Sequence, residues 1–174
     1  NTGYKVTKEY YVNDAGAQVE DLAKTVMLRY EQALSGNEDI LIPKGLYPGE
    51  YLIPVGKKLA EKYADQLTKM DSKTAMEIIK DFSVKEMILI IKEDLKELGI
   101  EHDIFFSEKS LHDSTKIKDA VSLLSKMQLI YKGTLPPPKG KINESWDCKE
   151  QRLFKSTNYG DDQDRPIEKA DGSW

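Results

Sequence analysis

Lys5-Val6-Thr7-Lys8-Glu9-Tyr10-Tyr11-Val12-Asn13-Asp14-Ala15-Gly16-Ala17-Gln18 decides how this chain is read. Val6, Tyr10 and Val12 alternate in a β-rich run, Asn13-Asp14 breaks it, and Gly16 leads into a long amphipathic pattern. In α/β proteins such a strand-to-helix junction is where ligands bind, at the carboxyl ends of strands. A single strand makes no sheet, so its partners must lie elsewhere in the chain or in a larger protein. Because the chain begins with Asn1 and not Met, it reads as an excised piece.

Downstream of the junction, Val19, Leu22, Ala23, Val26, Met27, Tyr30 and Leu34 recur at helical steps and predict one helix ending near Ser35-Gly36-Asn37. Asp14 can cap that helix, and Gly16 permits the tight turn. After a loop with Pro43, Gly45 and Pro48, a turn is expected at 49–53 and a firmer helix over about 55–65. Tyr47, Tyr51 and Tyr63 at helical spacing read as core. Ser72 is the expected cap of the longest helix, whose stripe is Ala75, Ile79, Phe82, Ile88, Ile91, Leu95 and Leu98 before Gly99. Met76, Ile78, Met87, Leu89 and Ile90 fall off that stripe, which predicts burial on more than one side. A strand follows over 100–106, then a helix through Ile117 to Met127 capped near Asp113-Ser114. Short strands are expected at Leu129 to Tyr131, Leu153-Phe154 and Pro166 to Lys169, with Pro136, Pro137 and Pro138 barring regular structure between them. The order is strand, several helices, then short strands, which fits a helical insertion in an α/β sheet or a small α+β domain. Periodicity alone leaves both open.

With 174 residues, 32% charged, 39% apolar and a net charge of -4, the chain has an ordinary globular profile that advertises no nucleic-acid surface. Its longest apolar run, Met87 to Ile91, is far short of a membrane span, so no membrane partner is expected. Cys148 is the single cysteine, which rules out an internal disulfide and fits a reducing cytoplasm.

Most constellations dissolve on inspection. His102, His112 and Cys148 are too few and too scattered for zinc. Asp161, Asp162 and Asp164 lack the ligand alternation of a calcium loop and read as a solvated acidic turn. Ser107, His112 and Asp113 have no nucleophile elbow, and Gly45 to Gly49 lacks the Gly-Lys-Ser/Thr sequel of a phosphate loop. Lys139-Gly140-Lys141 makes a small basic tip after the prolines. Asn13, Asp14 and Gln18 survive best: Asp14 and Gln18 are one helical turn apart, and Asn13 stands at the strand mouth. Together they offer amides and one carboxylate to a zwitterionic or cationic small ligand. The plainer reading is a cap, a turn and a solvent-facing amide, and spacing alone favours it.

Six ordered blocks carry a family resemblance. Val6 to Gln18 reads V-T-K-E-Y-Y-V-N-D-A-G-A-Q, Tyr30 lies in L-R-Y, and Tyr47 to Tyr51 reads Y-P-G-E-Y. Asp94 to Asp103 reads D-L-K-E-L-G-I-E-H-D, Ser107-Glu108 precedes Leu111-His112 and, after the next helix, Ile130-Tyr131; Gly160 to Trp174 closes with G-D-D-Q-D-R-P-I-E-K-A-D-G-S-W. Taken in order, these blocks resemble bacterial arginyl-tRNA synthetases. The resemblance implies a class I enzyme that activates arginine with ATP and Mg and transfers it to tRNA in protein biosynthesis. The H-I-G-H and K-M-S-K signatures of ATP chemistry are absent, so the chain would be the middle of the catalytic domain, and silent in isolation. The implied fold is α/β, a partial Rossmann-like domain dominated by a mainly helical insertion with a few short strands. Residues 1–36 would belong to the first Rossmann half, 37–150 to the insertion, and 151–174 to strands leading back into the second half. The resemblance sets Asn13, Asp14 and Gln18 at the border of the arginine pocket and makes Lys139 and Lys141 candidate tRNA contacts. Other branches have Gly where this chain has Asn13, and some carry an amino-acid-binding asparagine where it has Tyr10. The alternative is a non-enzymatic helical module for interaction or for guiding the tRNA acceptor end. Either way, self-association through cut sheet edges is expected.

Overall fold

The computed structural model describes residues 3–37, 39–112, 114–136, 149–168 and 172. The chain divides into two units, Asn1–Ser110 and Leu111–Trp174. The first unit opens with β1 (Glu9–Val12) and α1 (Ala17–Ser35), followed by a 3-10 turn at Glu50–Leu52. Then come α2 (Ile53–Tyr63), α3 (Gln66–Lys69), α4 (Ser72–Glu97) and β2 (Ile104–Ser107). A short α5 (Lys109–His112) spans the boundary between units.

β1 and β2 pair in parallel, with Glu9 opposite Ile104 and Val12 opposite Ser107. The ladder is extended by the Lys8 carbonyl, which accepts from Asp103 and Ile104 N–H at 2.8 and 3.1 Å. It ends at Glu108 N–H on the Val12 carbonyl at 3.0 Å. The β-rich run is thus longer than the strand: Tyr4 and Val6 are exposed, because the four-residue β2 offers them no backbone to pair with.

Between the strands lie the helices, and their contact surface is the core: Ala23, Val26, Tyr30, Leu52, Val55, Leu59, Leu67, Ala75 and Ile79. α1 ends as its sequence predicts, with Gly36 in the left-handed region at φ +68° and its N–H on the Gln32 carbonyl at 3.0 Å. Pro54 is tolerated because it stands in the first turn of α2, where no intrahelical donor is needed. The cap of α4 is Asp71 and not Ser72: the Asp71 carboxylate accepts from Thr74 N–H at 2.9 Å. On α4 only Ala75, Ile79 and Ser83 are buried; of the residues off the stripe, Met76, Ile78, Met87 and Ile90 pack partly buried against the core and Leu89 is exposed. Of the three tyrosines expected in the core, Tyr47 and Tyr63 pack partly buried against it, while Tyr51 is 49% exposed.

The second unit contains α6 (Lys116–Lys126), β3 (Ile130–Gly133), β4 (Gln151–Phe154), a 3-10 turn at Ser156–Tyr159 and β5 (Arg165–Glu168). Its sheet is antiparallel in the order β3-β4-β5, so Leu153 on the central strand is its buried residue. α6 buries no residue, and Leu123 and Met127 stay exposed, although its pattern is that of a core helix. Together the two units make a mixed α/β chain, rich in helix, with few short strands.

Candidate functional site at the carboxyl end of the first strand

In the first unit a cavity of about 250 Å³ opens where β1 meets α1. Tyr10 to Asn13 form its strand side, while Gln18, Val19 and Leu22 come from the start of α1. Tyr47 and Tyr51 supply a further wall, and Val84, Met87, Ile88 and Ile91 of α4 the floor. Met87, off the main stripe of its helix, both packs against the core and lines the cavity.

Strand alternation puts β1 aromatics on both faces of the pair. On one, Tyr10 stacks on Phe105 with centroids 5.3 Å apart, His102 meets Tyr10 edge-on at 5.5 Å, and Lys92 Nζ stands 4.1 Å above the Phe105 ring. On the other, Tyr11 stacks on Phe106 at 6.2 Å. Desolvation first, then the charges of Glu108 and Asp14, hold the Tyr11 phenol above its ordinary value. It remains a neutral hydrogen-bonding group at neutral pH.

The three residues singled out from sequence part company here. Asn13 and Gln18 both line the cavity. The Asn13 amide is best placed with its nitrogen donating to Glu108 Oε2 at 3.0 Å and to the Ala15 carbonyl at 3.1 Å. The opposite orientation would leave its oxygen facing those two acceptors, with Nδ2 only 3.4 Å from Gln18 Oε1. Asp14 does not line the cavity. Its Oδ1 accepts from Lys109 N–H at 2.7 Å, across 95 residues of sequence. The expected capping of α1 falls instead to Gly16, at φ +87° and with no side-chain cap. Asp14 thus caps a helix other than its own: it satisfies the first N–H of α5, while Ser107 Oγ accepts from Ser110 N–H at 3.2 Å. That hydroxyl is engaged in a turn. Lys139 and Lys141 lie outside the described residues.

Among the described residues the cavity lining is aliphatic and phenolic, with the amides of Asn13 and Gln18 and no carboxylate. Such a surface can hold an aliphatic or flat group and orient it by hydrogen bonds to the amides. A guanidinium would need a carboxylate partner supplied from elsewhere. Among the described residues no group of three or more His, Cys, Asp or Glu is placed to hold a metal ion. Tyr47 and Tyr51 were missed as cavity residues because helical spacing reads as core; the doubled aromatic flanking Pro48-Gly49 was the available signal.

No family model matches the chain. Curated relatives do: the arginine–tRNA ligase of Rickettsia akari (strain Hartford) is 62% identical over 172 residues, which are 99% of this chain and 30% of the relative. That of Rickettsia canadensis (strain McKiel) is 62% identical over the same lengths, and that of Rickettsia bellii (strain OSU 85-389) is 60% identical. A crystal structure from Campylobacter jejuni assigned as an arginyl-tRNA synthetase superposes with a TM-score of 0.73 at 27% identity, over 98% of this chain and 33% of that one. Sequence and structure agree over nearly the whole chain, which spans 30% of the length of the curated relatives and belongs to the arginine–tRNA ligase family.

Proposed function

We propose that the chain is part of an enzyme that activates arginine with ATP and passes the arginyl group to tRNA. The observation that carries this is 62% identity to an arginine–tRNA ligase over 99% of the chain. In such a reaction the arginine carboxylate attacks the α-phosphate of ATP in line and pyrophosphate leaves. A ribose hydroxyl at the tRNA 3′ end then takes the acyl group and AMP leaves. Positioning and charge stabilisation govern both steps. The described residues offer neither a phosphate-cradling glycine loop nor a metal cluster, so no step is assigned to them that runs through ATP or Mg.

Within this reading Asn13 and Gln18 border the arginine site by their amides, and Asp14 borders it by fixing the segment after β2. The parallel β1–β2 pair, with helices in its crossover, supports a place in a Rossmann-type half-domain carrying a mainly helical insertion over 37–150. Residues 151–174 would then return to the second half, with Lys139 and Lys141, outside the described residues, as candidate tRNA contacts. A cytoplasmic site of action fits the family, and among the described residues no helix is long and apolar enough to cross a membrane. The open edges of the strand pair favour self-association of the isolated chain.

The decisive assay is arginine charging of tRNA by the full-length ligase, with this chain alone as control. Charging by the former and silence from the latter is expected. Absence of charging by a folded full-length protein would overturn the assignment, and charging by this chain alone would overturn its predicted silence.

A further inference from the structure

Two buried polar side chains on α1 have no part in the site described so far. Thr25 is fully buried and Arg29, one turn further on, is only 8% exposed. Polar groups this deep are retained where they satisfy something specific. Thr25 Oγ1 donates to the Asp21 carbonyl at 2.9 Å and accepts from Tyr47 N–H at 3.2 Å. Arg29 Nη2 reaches the Pro48 carbonyl at 3.4 Å, and Nη1 donates to Gln32 Oε1 at 2.9 Å. Its Nε has no partner among the described residues, and the groups its Nη atoms reach are an amide and a carbonyl and not carboxylates, an arrangement unfavourable for a buried cation on its own account.

Both side chains converge on one peptide stretch, Tyr47-Pro48. Beyond Pro48 the Tyr51 ring folds back over Gly49, where any side chain would collide with it. Leu52, fully buried, anchors the far end in the core, and its N–H bonds the Gly49 carbonyl at 3.3 Å. The turn is therefore tied at both ends, and the two tyrosines it carries are the ones that wall the cavity.

We infer that Thr25 and Arg29 are positioning residues that hold the Tyr47–Tyr51 turn as a fixed wall of the cavity and thereby set its width. Neither touches the cavity; both act through the backbone of residues that do. The link to arginine binding rests on the proposed function, whereas the pinning itself does not.

Two measurements separate these. In this chain, Thr25→Val removes the hydroxyl at nearly constant volume and Thr25→Ser keeps it. Hydrogen exchange at the Tyr47 amide should quicken about 3- to 10-fold in Thr25→Val, the loss of one ordinary hydrogen bond, and return in Thr25→Ser. Amides of α1 and α4 should be unchanged. If Thr25→Val does not fold, Arg29→Lys provides the same readout through the Pro48 tie. In the full-length ligase, Thr25→Val should raise the KM for arginine about 3-fold in pyrophosphate exchange and leave kcat within about 2-fold, with Thr25→Ser restoring it. Unchanged exchange at Tyr47 overturns the inference, as does an unchanged KM in an active ligase. Faster exchange at Tyr47 together with a ligase that ignores arginine supports the pinning and defeats the proposed function instead.

Discussion

Replacing Gly56 by Ala sets two opposing effects against each other inside the first unit. Gly56 lies in α2, where alanine is the better helix former by about 0.5–1 kcal/mol. An added Cβ would stand 2.5 Å from both the carbonyl carbon and the Cβ of Arg29, and 2.7 Å from its carbonyl oxygen. Carbon atoms in contact settle at about 3.5–4.0 Å, so α1 and α2 must part by roughly 1 Å. The obstacle is backbone, which cannot rotate away as a side-chain tip would. Overpacking of this kind costs about 1–3 kcal/mol, and the rigid partner puts it in the upper half of that range. Parting the helices also loosens Val26, Tyr30, Val55 and Leu59, all buried at their interface. The packing penalty exceeds the propensity gain, leaving a net loss of about 1–2.5 kcal/mol. At this chain length that lowers the thermal midpoint by about 2–10 °C. The assay is far-UV circular dichroism through a thermal ramp, with urea unfolding beside it to check that the slope is unchanged. A midpoint equal to or above that of the parent sequence would refute the reasoning, because propensity would then have won.

Asp14→Ala should leave α1 intact and free the Lys109 amide, raising its hydrogen exchange about 3- to 10-fold; fraying at the start of α1 instead would restore Asp14 as its cap. In the second unit, Asp161 is held well below the usual carboxylate range chiefly by its bond to Arg165, and Asp164 is lowered chiefly by the Tyr131 hydroxyl and then by Thr157. A carboxylate depressed in the folded state stabilises fully above its unfolded pKa of about 3.9, and that contribution fades as pH falls through the folded value. Melting of the β3-β4-β5 sheet should accordingly be flat down to about pH 5 and decline below about pH 4. Tyr131→Phe should raise the carboxyl titration of Asp164 by NMR and leave Asp161 where it was; movement of both or neither would contradict the separate hydrogen bonds.

Helices were readable because each carries its own signal. The stripe from Val19 to Leu34 and the stop at Gly36 lie within one short stretch, and α1 obeys them. Pro54 likewise announces the first turn of α2. What the sequence hides is whatever depends on distant partners. Nothing near Tyr10 says that Phe105 will lie beside it, so the length of β1 was overestimated. Asp14 has the right residue type and place for capping α1, yet a competing N–H from Lys109 takes it. Ser72 lost to Asp71 for a smaller reason: caps shift by one residue with backbone geometry, and Asp71 is extended at φ −63° and ψ 144°. Asn13 and Gln18 line one cavity because the end of β1 and the first turn of α1 meet there, a local junction that the sequence does show. Tyr51 was misread because a helical period says which residues share a face, not whether anything covers it.

Pairing β1 with β2 closes a loop of 95 residues, and this dictates an order of events. The entropic barrier to joining such distant segments is met before their contacts repay it. Packing α1 on α2 and α4 draws the ends together, so the strand pair condenses on helices already in place. Weakening β1 or β2 should then quicken unfolding and leave the folding rate nearly untouched. During synthesis the corner carrying Asn13 and Gln18 emerges well before Ser107 and acquires its shape late, only after Ser107 has left the ribosome.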